Sequence, residues 1–465
     1  MKSRLPTVML AAALATCAVG AAGCDPPKAP VAARPERADQ WFKRAQAEFN
    51  TARVEDAHDA IVKALEYAPQ DDEIRTLGSR IALARLEFDE SLRLLTSIPG
   101  SEAHGLRGRA YWFRGDLTPA ADELDALLDD PAIRDEWAKG VAGLARRGEG
   151  RSPFAVSGAP RAVVSLDHVS DVAPYFVVSV EIDGQAGLAV VSTGVAELMV
   201  DVSTLAQPSW VSVRFTGRPS SPTDEAPYID VTDVPALTQD LSGLSKEMNA
   251  PIKALIGTNL LRRLNVTMDY AGRQFVVRQE SASPPSNATR VNLYYERGGG
   301  MVIGSSLGQG DNSRATLFLD SRSRYPIALD DRGWVKAGVT PGDLKPVTGD
   351  TTQKMKEGVV PELRLGAFEL KRVPGILDGP VKDIEESLRL DVDGVLGVPV
   401  LALYRITLGE GGRVMYLEDD SEVRAMADSL GEGPPIDTPT EGPINQSQPG
   451  PVAPGPQPDN STPGD

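Results

Sequence analysis

Gly187-Leu-Ala-Val-Val-Ser-Thr-Gly-Val-Ala-Glu-Leu-Met-Val-Asp201 and Ala315-Thr-Leu-Phe-Leu-Asp-Ser-Arg-Ser-Arg-Tyr-Pro-Ile-Ala-Leu329 are two versions of one pattern. Each is an apolar run, a three-residue polar turn and a second apolar run. Such short runs, rich in Val, Leu and Ile and bounded by turn residues, read as buried strands. The likeness extends outward. Val163 opens a strand 29 residues before Ser192, and Val291 opens one 29 residues before Asp320. Downstream, Ala254-Leu-Ile-Gly257-Thr-Asn-Leu-Leu261 matches Gly394-Val-Leu-Gly397-Val-Pro-Val-Leu401. Gly257 follows Ser192 by 65 residues and Gly397 follows Asp320 by 77. A strand pair after each Gly segment, Asn265 to Val277 and Tyr404 to Leu417, is expected to close each unit. Asp183-Gly184 reads as a two-residue hairpin turn. The β region therefore contains itself twice, over 163–281 and 291–419.

This arrangement resembles the retropepsin-like aspartic proteases. In that family each lobe offers an apolar strand ending in Asp-Thr/Ser-Gly, then an apolar-apolar-Gly segment that packs beneath the turn. The stretch Val360-Pro-Glu-Leu-Arg-Leu-Gly-Ala-Phe-Glu-Leu-Lys-Arg-Val373 resembles wording that bacterial members carry between their two motifs. The resemblance implies an all-β bilobal region of double-psi-type barrels. It places Ser192 and Asp320 at the two catalytic positions, with Thr193, Gly194, Ser321 and Arg322 completing the turns. Gly257 and Gly397 become the packing glycines.

The chemistry of the family fails at these positions. Aspartic proteolysis needs two carboxylates ~3 Å apart that share one proton. Ser192 stands where the first Asp is required, and a hydroxyl is a poor base at neutral pH. Asp320 survives, but Arg322 replaces the Gly of its motif and sets a cation beside the only remaining carboxylate. Ser192 acting as a nucleophile requires a base, and the three histidines, His58, His104 and His168, lie outside the motifs. A homodimer pairing two Asp320 residues has to displace the first lobe. The plain alternative makes Asp320 a structural carboxylate that accepts from turn amides or pairs with Arg322 or Arg324. Gly298-Gly299-Gly300 lacks the Lys and spacing of a phosphate loop and reads as a hairpin turn. Asp330-Asp331 and Asp419-Asp420 read as solvated turns. No cofactor and no metal site is expected, with three scattered His and no Cys after Cys24.

Residues 38–148 carry a helical period with an internal repeat. Ala45, Ala57, Ile61, Ala64 and Pro69 are spaced 12, 4, 3 and 5 apart. Ser79, Ser91, Leu95 and Ile98 repeat the first three steps, as do Gly108, Ala120, Leu124 and Leu127. The starts are 34 and 29 residues apart. Small residues at such positions let paired helices approach closely, and the pattern resembles the tetratricopeptide repeat, which implies a protein-binding surface.

The start of the chain has Lys2 and Arg4, an apolar run from Val8 to Ala22, and Ala21-Ala22-Gly23-Cys24. This resembles a bacterial lipoprotein signal (1–23) with lipidation at Cys24, followed by a Pro-rich tether to residue 37. It implies a lipid-anchored protein of the cell envelope. Residues 149–162 read as a linker. Residues 431–465 hold ten Pro, six Gly and no Lys or Arg, so 428–465 reads as a tail without a core. With 65 Asp plus Glu against 48 Lys plus Arg, a net charge of −17 argues against nucleic-acid binding, because no surplus of cations is present to neutralise phosphates. The whole reads as a multidomain α + β chain. It is expected to bind a protein or an extended peptide without cutting it, with an envelope aspartic endopeptidase using Asp320 and Ser192 as the alternative.

Overall fold

The computed structural model describes residues 34–169, 173–296, 299–347, 355–377 and 379–419. The signal segment, Cys24, most of the tether and the 428–465 tail lie outside the described residues. Among the described residues no helix is long and apolar enough to cross a membrane.

Three helix pairs come first: α1 (Glu36–Asn50) with α2 (Val54–Tyr67), α3 (Asp72–Ala84) with α4 (Phe88–Leu94), and α5 (Ser101–Arg114) with α6 (Leu117–Leu128). A single helix, α7 (Glu136–Arg146), packs on α6. The repeated small residues sit where the helices meet. Ala45, Ala57 and Ala64 are fully buried. Ser79 and Ser91 are buried too and hydrogen-bond each other at 2.8 Å. A Cβ on Gly108 would lie 2.6 Å from Leu124 Cδ2. Gly108→Ala is therefore expected to force α5 from α6 and lower stability by about 1–3 kcal/mol, read as a shifted urea midpoint. The short α4, seven residues against fourteen in α2, explains why the third repeat starts early.

The first lobe contains β1 (Ala155–Gly158), β2 (Arg161–Ser165), β3 (Val177–Ile182), β4 (Gln185–Val191), β5 (Leu198–Asp201), β6 (Ser209–Thr216), β7 (Tyr228–Gln239), β8 (Ile252–Ile256), β9 (Thr267–Asp269) and β10 (Gln274–Arg278). The order β7-β5-β8-β4-β3-β6 closes because β6 also pairs with β7, giving a six-stranded barrel. The expected linker 149–162 in fact carries β1, which adds to this barrel alongside β7. Asp183-Gly184 forms the β3–β4 turn, both residues at positive φ.

The second lobe contains β11 (Thr289–Asn292), β12 (Tyr294–Glu296), β13 (Gly300–Leu307), β14 (Arg314–Asp320), β15 (Ile327–Leu329), β16 (Lys345–Pro346), β17 (Lys356–Leu365), β18 (Phe368–Leu377), β19 (Gly394–Gly397), β20 (Tyr404–Gly409) and β21 (Val414–Asp419). Here β13-β14-β19-β15-β18-β17 closes through β17–β13, again with six strands. The Val360–Val373 stretch is the β17–β18 hairpin.

The strand pairs after the Gly segments do not close the barrels, as the sequence suggested. They leave them and meet. A third sheet runs β11-β21-β20-β9-β10-β2, three strands from each lobe. Its centre is the antiparallel pair β9–β20, where Thr267 and Thr407 hydroxyls bond at 2.8 Å. The reason is pairing. Strands β9 and β20 each carry only one neighbour from their own lobe, and an unpaired strand edge is costly when buried.

The helical array touches both lobes. At one end, Glu55 accepts from the Tyr294 hydroxyl at 2.9 Å, and Arg314 pairs with Asp56 at 2.8 Å. Thr316 Oγ1 donates to the Thr51 carbonyl, and the Asp391 amide to that of Asn50. At the other end, Trp210 donates its indole N–H to the Leu144 carbonyl at 3.0 Å, and Trp112, Val141 and Leu144 share an apolar cluster with Leu237. The first pair of helices thus sits on the second lobe and the last helices on the first.

Candidate functional site

Parallel pairing builds the site. Strand β4 runs beside β8 with Val191 opposite Ile256, and β14 runs beside β19 with Asp320 opposite Gly397. Both strands end at the polar turns. The turn amides and the Gly segments then lock together. The Ser192 amide donates to the Ile256 carbonyl, and the Thr258 and Asn259 amides donate to those of Val195 and Ala196. A Cβ on Gly257 would lie 2.1 Å from the Glu197 carbonyl oxygen, and one on Gly397 1.9 Å from that of Tyr325. Only glycine allows that approach. In the second lobe the Val398 amide bonds the Ser323 carbonyl in the matching place.

The two turns grip one another across the seam. Thr193 Oγ1 donates to the Leu319 carbonyl at 2.7 Å and accepts from the Ser321 amide at 3.0 Å. In return, Ser321 Oγ donates to the Val191 carbonyl at 2.7 Å and accepts from the Thr193 amide at 3.1 Å. Both residues are buried. The exchange is two-fold symmetric, and it holds the preceding residues, Ser192 and Asp320, at the same seam. All the motif residues named from sequence are therefore brought together: Ser192, Thr193 and Gly194 with Ser321 and Arg322, over Gly257 and Gly397.

The two sides differ in chemistry. The Ser192 hydroxyl is fully buried and has no hydrogen-bond partner among the described residues. Asp320 Oδ1 accepts from the Arg322 backbone amide at 2.9 Å, and the Arg322 Nε lies 3.5 Å from the same oxygen. Asp320 is thus tied to its own turn, as the plain reading of the sequence proposed. Arg322 takes an ordinary backbone conformation, outside the positive-φ residues. What Arg322 changes is the space. Its Nη2 lies 3.8 Å from where a Cβ on Gly194 would sit, so its guanidinium reaches over the first turn. Tyr175 of the first lobe stands nearby. Burial pushes its phenol up, and it donates to Glu247 at 2.9 Å. Among the described residues the Ser192 hydroxyl bonds none of the three histidines. His104 bonds Glu123, and His168 bonds the Tyr270 hydroxyl. Among the described residues no group of three or more His, Cys, Asp and Glu is placed to hold a metal ion.

Two features escaped the sequence. Glu197, three residues past Gly194, is buried and accepts the Trp112 indole N–H at 3.0 Å on one oxygen and that of Trp137 at 2.9 Å on the other. Asn259 adds a third donor at 3.4 Å. Burial pushes this carboxyl up, against the two indoles and Arg109, which pull it back. An acid inside an apolar run (Val195-Ala-Glu-Leu-Met-Val200) was the available signal. The second feature is the turn at Gly299-Gly300. A Cβ on Gly299 would lie 2.6 Å from Thr258 Oγ1, and the Met301 amide donates to the Thr193 carbonyl. The hairpin of one lobe rests on the motif turn of the other.

Two six-stranded barrels, a sheet shared between them and interlocked turns fit the bilobal arrangement of aspartic proteases. No family model and no curated protein matches the chain. Among solved structures, a retropepsin-like aspartic protease from Rickettsia conorii is 16% identical, covering 29% of this chain and 94% of that one, with a TM-score of 0.21. The second TPR domain of the human RPAP3 protein, in complex with an HSP70 peptide, is 17% identical, covering 24% of this chain and 95% of that one, with a TM-score of 0.22. Both likenesses are slight.

Proposed function

We propose that this chain is a lipid-anchored protein of the bacterial cell envelope, held at Cys24, whose aspartic-protease-like lobes bind an extended peptide or protein segment without cutting it. One observation carries the non-cutting part: of the two motif positions only one holds a carboxylate, Asp320, which accepts from the Arg322 backbone amide and has the Arg322 guanidinium 3.5 Å away as an ion pair, while the other holds a serine. A lone carboxylate cannot share a proton with a mate, and that sharing is what divides acid from base in the protease reaction. Binding survives the loss because strand edges and apolar pockets do not depend on the dyad. The tetratricopeptide-like helices serve as a second partner surface, although both ends of the array are occupied by the lobes.

The test is direct. Incubated with a peptide library from pH 3 to 8, the chain is expected to release no fragments at any pH, scored by mass spectrometry. Cleavage that disappears in Asp320→Asn would establish the alternative, an aspartic endopeptidase with an unorthodox site. The anchor is tested separately, by whether Cys24→Ser moves the protein from the membrane to the soluble fraction.

A further inference from the structure

Gly140 and Gly143 stand in the middle of α7. Glycine inside a helix is unfavourable because the unfolded chain is so free. Packing accounts for Gly140, where a Cβ would lie 3.0 Å from Leu237 Cδ2. It does not account for Gly143, whose Cβ would meet only the flexible end of Arg147, at 3.5 Å. Beside Gly143 lies a cavity of about 680 Å³ between α7 and the first lobe. That is inside the range of roughly 300–1,000 Å³ typical of ligand pockets. Trp137, Val195, Met199, Pro208 and Leu237 give it apolar walls, and Gly194 opens it onto the first motif turn. Charge gathers on α7 at its edge. Lys139, Gly143 and Arg147 follow at intervals of four residues, so they share one helix face. Lys139 and Arg147 are exposed. Arg147 spends one N–H on the Pro208 carbonyl at 2.8 Å, and Glu136 lies 3.7 Å from Lys139, so the three groups on α7 leave one net positive charge at the mouth; Glu197 also lines the cavity, its two oxygens occupied by the Trp112 and Trp137 indoles.

We propose that this cavity is where the peptide is read: it takes one apolar side chain, and an acidic neighbour of that side chain meets Lys139 and Arg147. The proposal rests on the peptide-binding reading above and adds the place and the chemistry. It also gives the helical domain a part in recognition, because one wall of the pocket is α7.

The experiment uses the chain from residue 25 onward and fluorescent blocked pentapeptides Ala-Ala-X-Z-Ala, with X apolar or Ser and Z Glu or Lys, followed by anisotropy. Peptides with apolar X and Glu at Z are expected to bind the parent. Gly143→Leu, which fills the cavity and favours the helix, is expected to bind them at least about tenfold more weakly while melting no lower than the parent. Lys139→Glu is expected to shift the preference between Glu and Lys at Z by about fivefold. Equal binding by the parent and Gly143→Leu overturns the cavity and leaves peptide binding elsewhere intact. If the parent binds none of these peptides but binds anilinonaphthalene sulfonate, and Gly143→Leu does not, the occupant is not a peptide and the class is overturned. Peptide binding that appears only after residues 420–465 are removed makes the chain's own acidic C-terminal segment the occupant and overturns the assignment to a separate partner. Cleavage of the bound peptides would sink the non-cutting reading alone.

Discussion

Thr193→Val is expected to lower the stability of the whole chain by roughly 2–5 kcal/mol, because it leaves two buried backbone groups without partners. Valine keeps the shape of threonine and removes the hydroxyl. The Ser321 amide then loses its acceptor and the Leu319 carbonyl loses its donor. Both lie at the seam, where water does not replace them, and each orphaned group costs about 1–3 kcal/mol. Ser192→Ala is the internal control. Its hydroxyl is equally buried but bonds nothing among the described residues, so its loss is expected to change stability by less than about 1 kcal/mol. Urea denaturation of the two variants separates them. Similar midpoints would mean that the turns do not grip one another as described.

Glu197→Ala is expected to cost more, roughly 3–5 kcal/mol, because it strands the buried Trp112 and half-buried Trp137 indole N–H groups and opens a hole between domains. The damage should be local first. Amides of α7 are expected to exchange with solvent faster than in the parent, while those of β20 and β21 keep their protection. The acid also gives a pH signature. Burial holds the folded carboxyl above its usual range. Its contribution is therefore full below the unfolded pKa and is lost as pH rises through the folded value. A Glu197→Gln variant has no such titration. Its deficit relative to the parent is expected to be larger near pH 4 than near pH 7.5. A deficit that stays constant, or grows with pH, would show that the carboxylate is not desolvated in this way.

What could be read in the sequence was whatever repeats. The two motif turns, their Gly segments and the strands ahead of them were visible because a duplicated unit imposes the same spacing twice. The helix pairs were visible through Ala57, Ser91 and Ala120, since a close helix crossing tolerates only small side chains there. Beyond the meeting of the two motif turns, what stayed hidden was the contact between units. Glu197 meets Trp112 and Trp137 across 85 and 60 residues, and no periodicity links them. The exit of β9 and β20 into a shared sheet was hidden for the same reason. Alternation within a strand reports which face is buried, not which edge will pair. Arg322 was legible as a departure from a motif, but its reach toward Gly194 belongs to the seam.

The placement of the first helix pair has a consequence for how the molecule is made. Glu55 finds its partner Tyr294 239 residues later in the chain. At ~5–20 residues per second, the earliest helices wait roughly 10–50 s for Tyr294 to be made, and longer for the barrel that carries it. During that interval the surface of α1 and α2 destined for Tyr294 and Thr316 is bare. The growing chain thus carries an exposed sticky end through most of its synthesis, a natural foothold for a chaperone that lets go once the last barrel shuts.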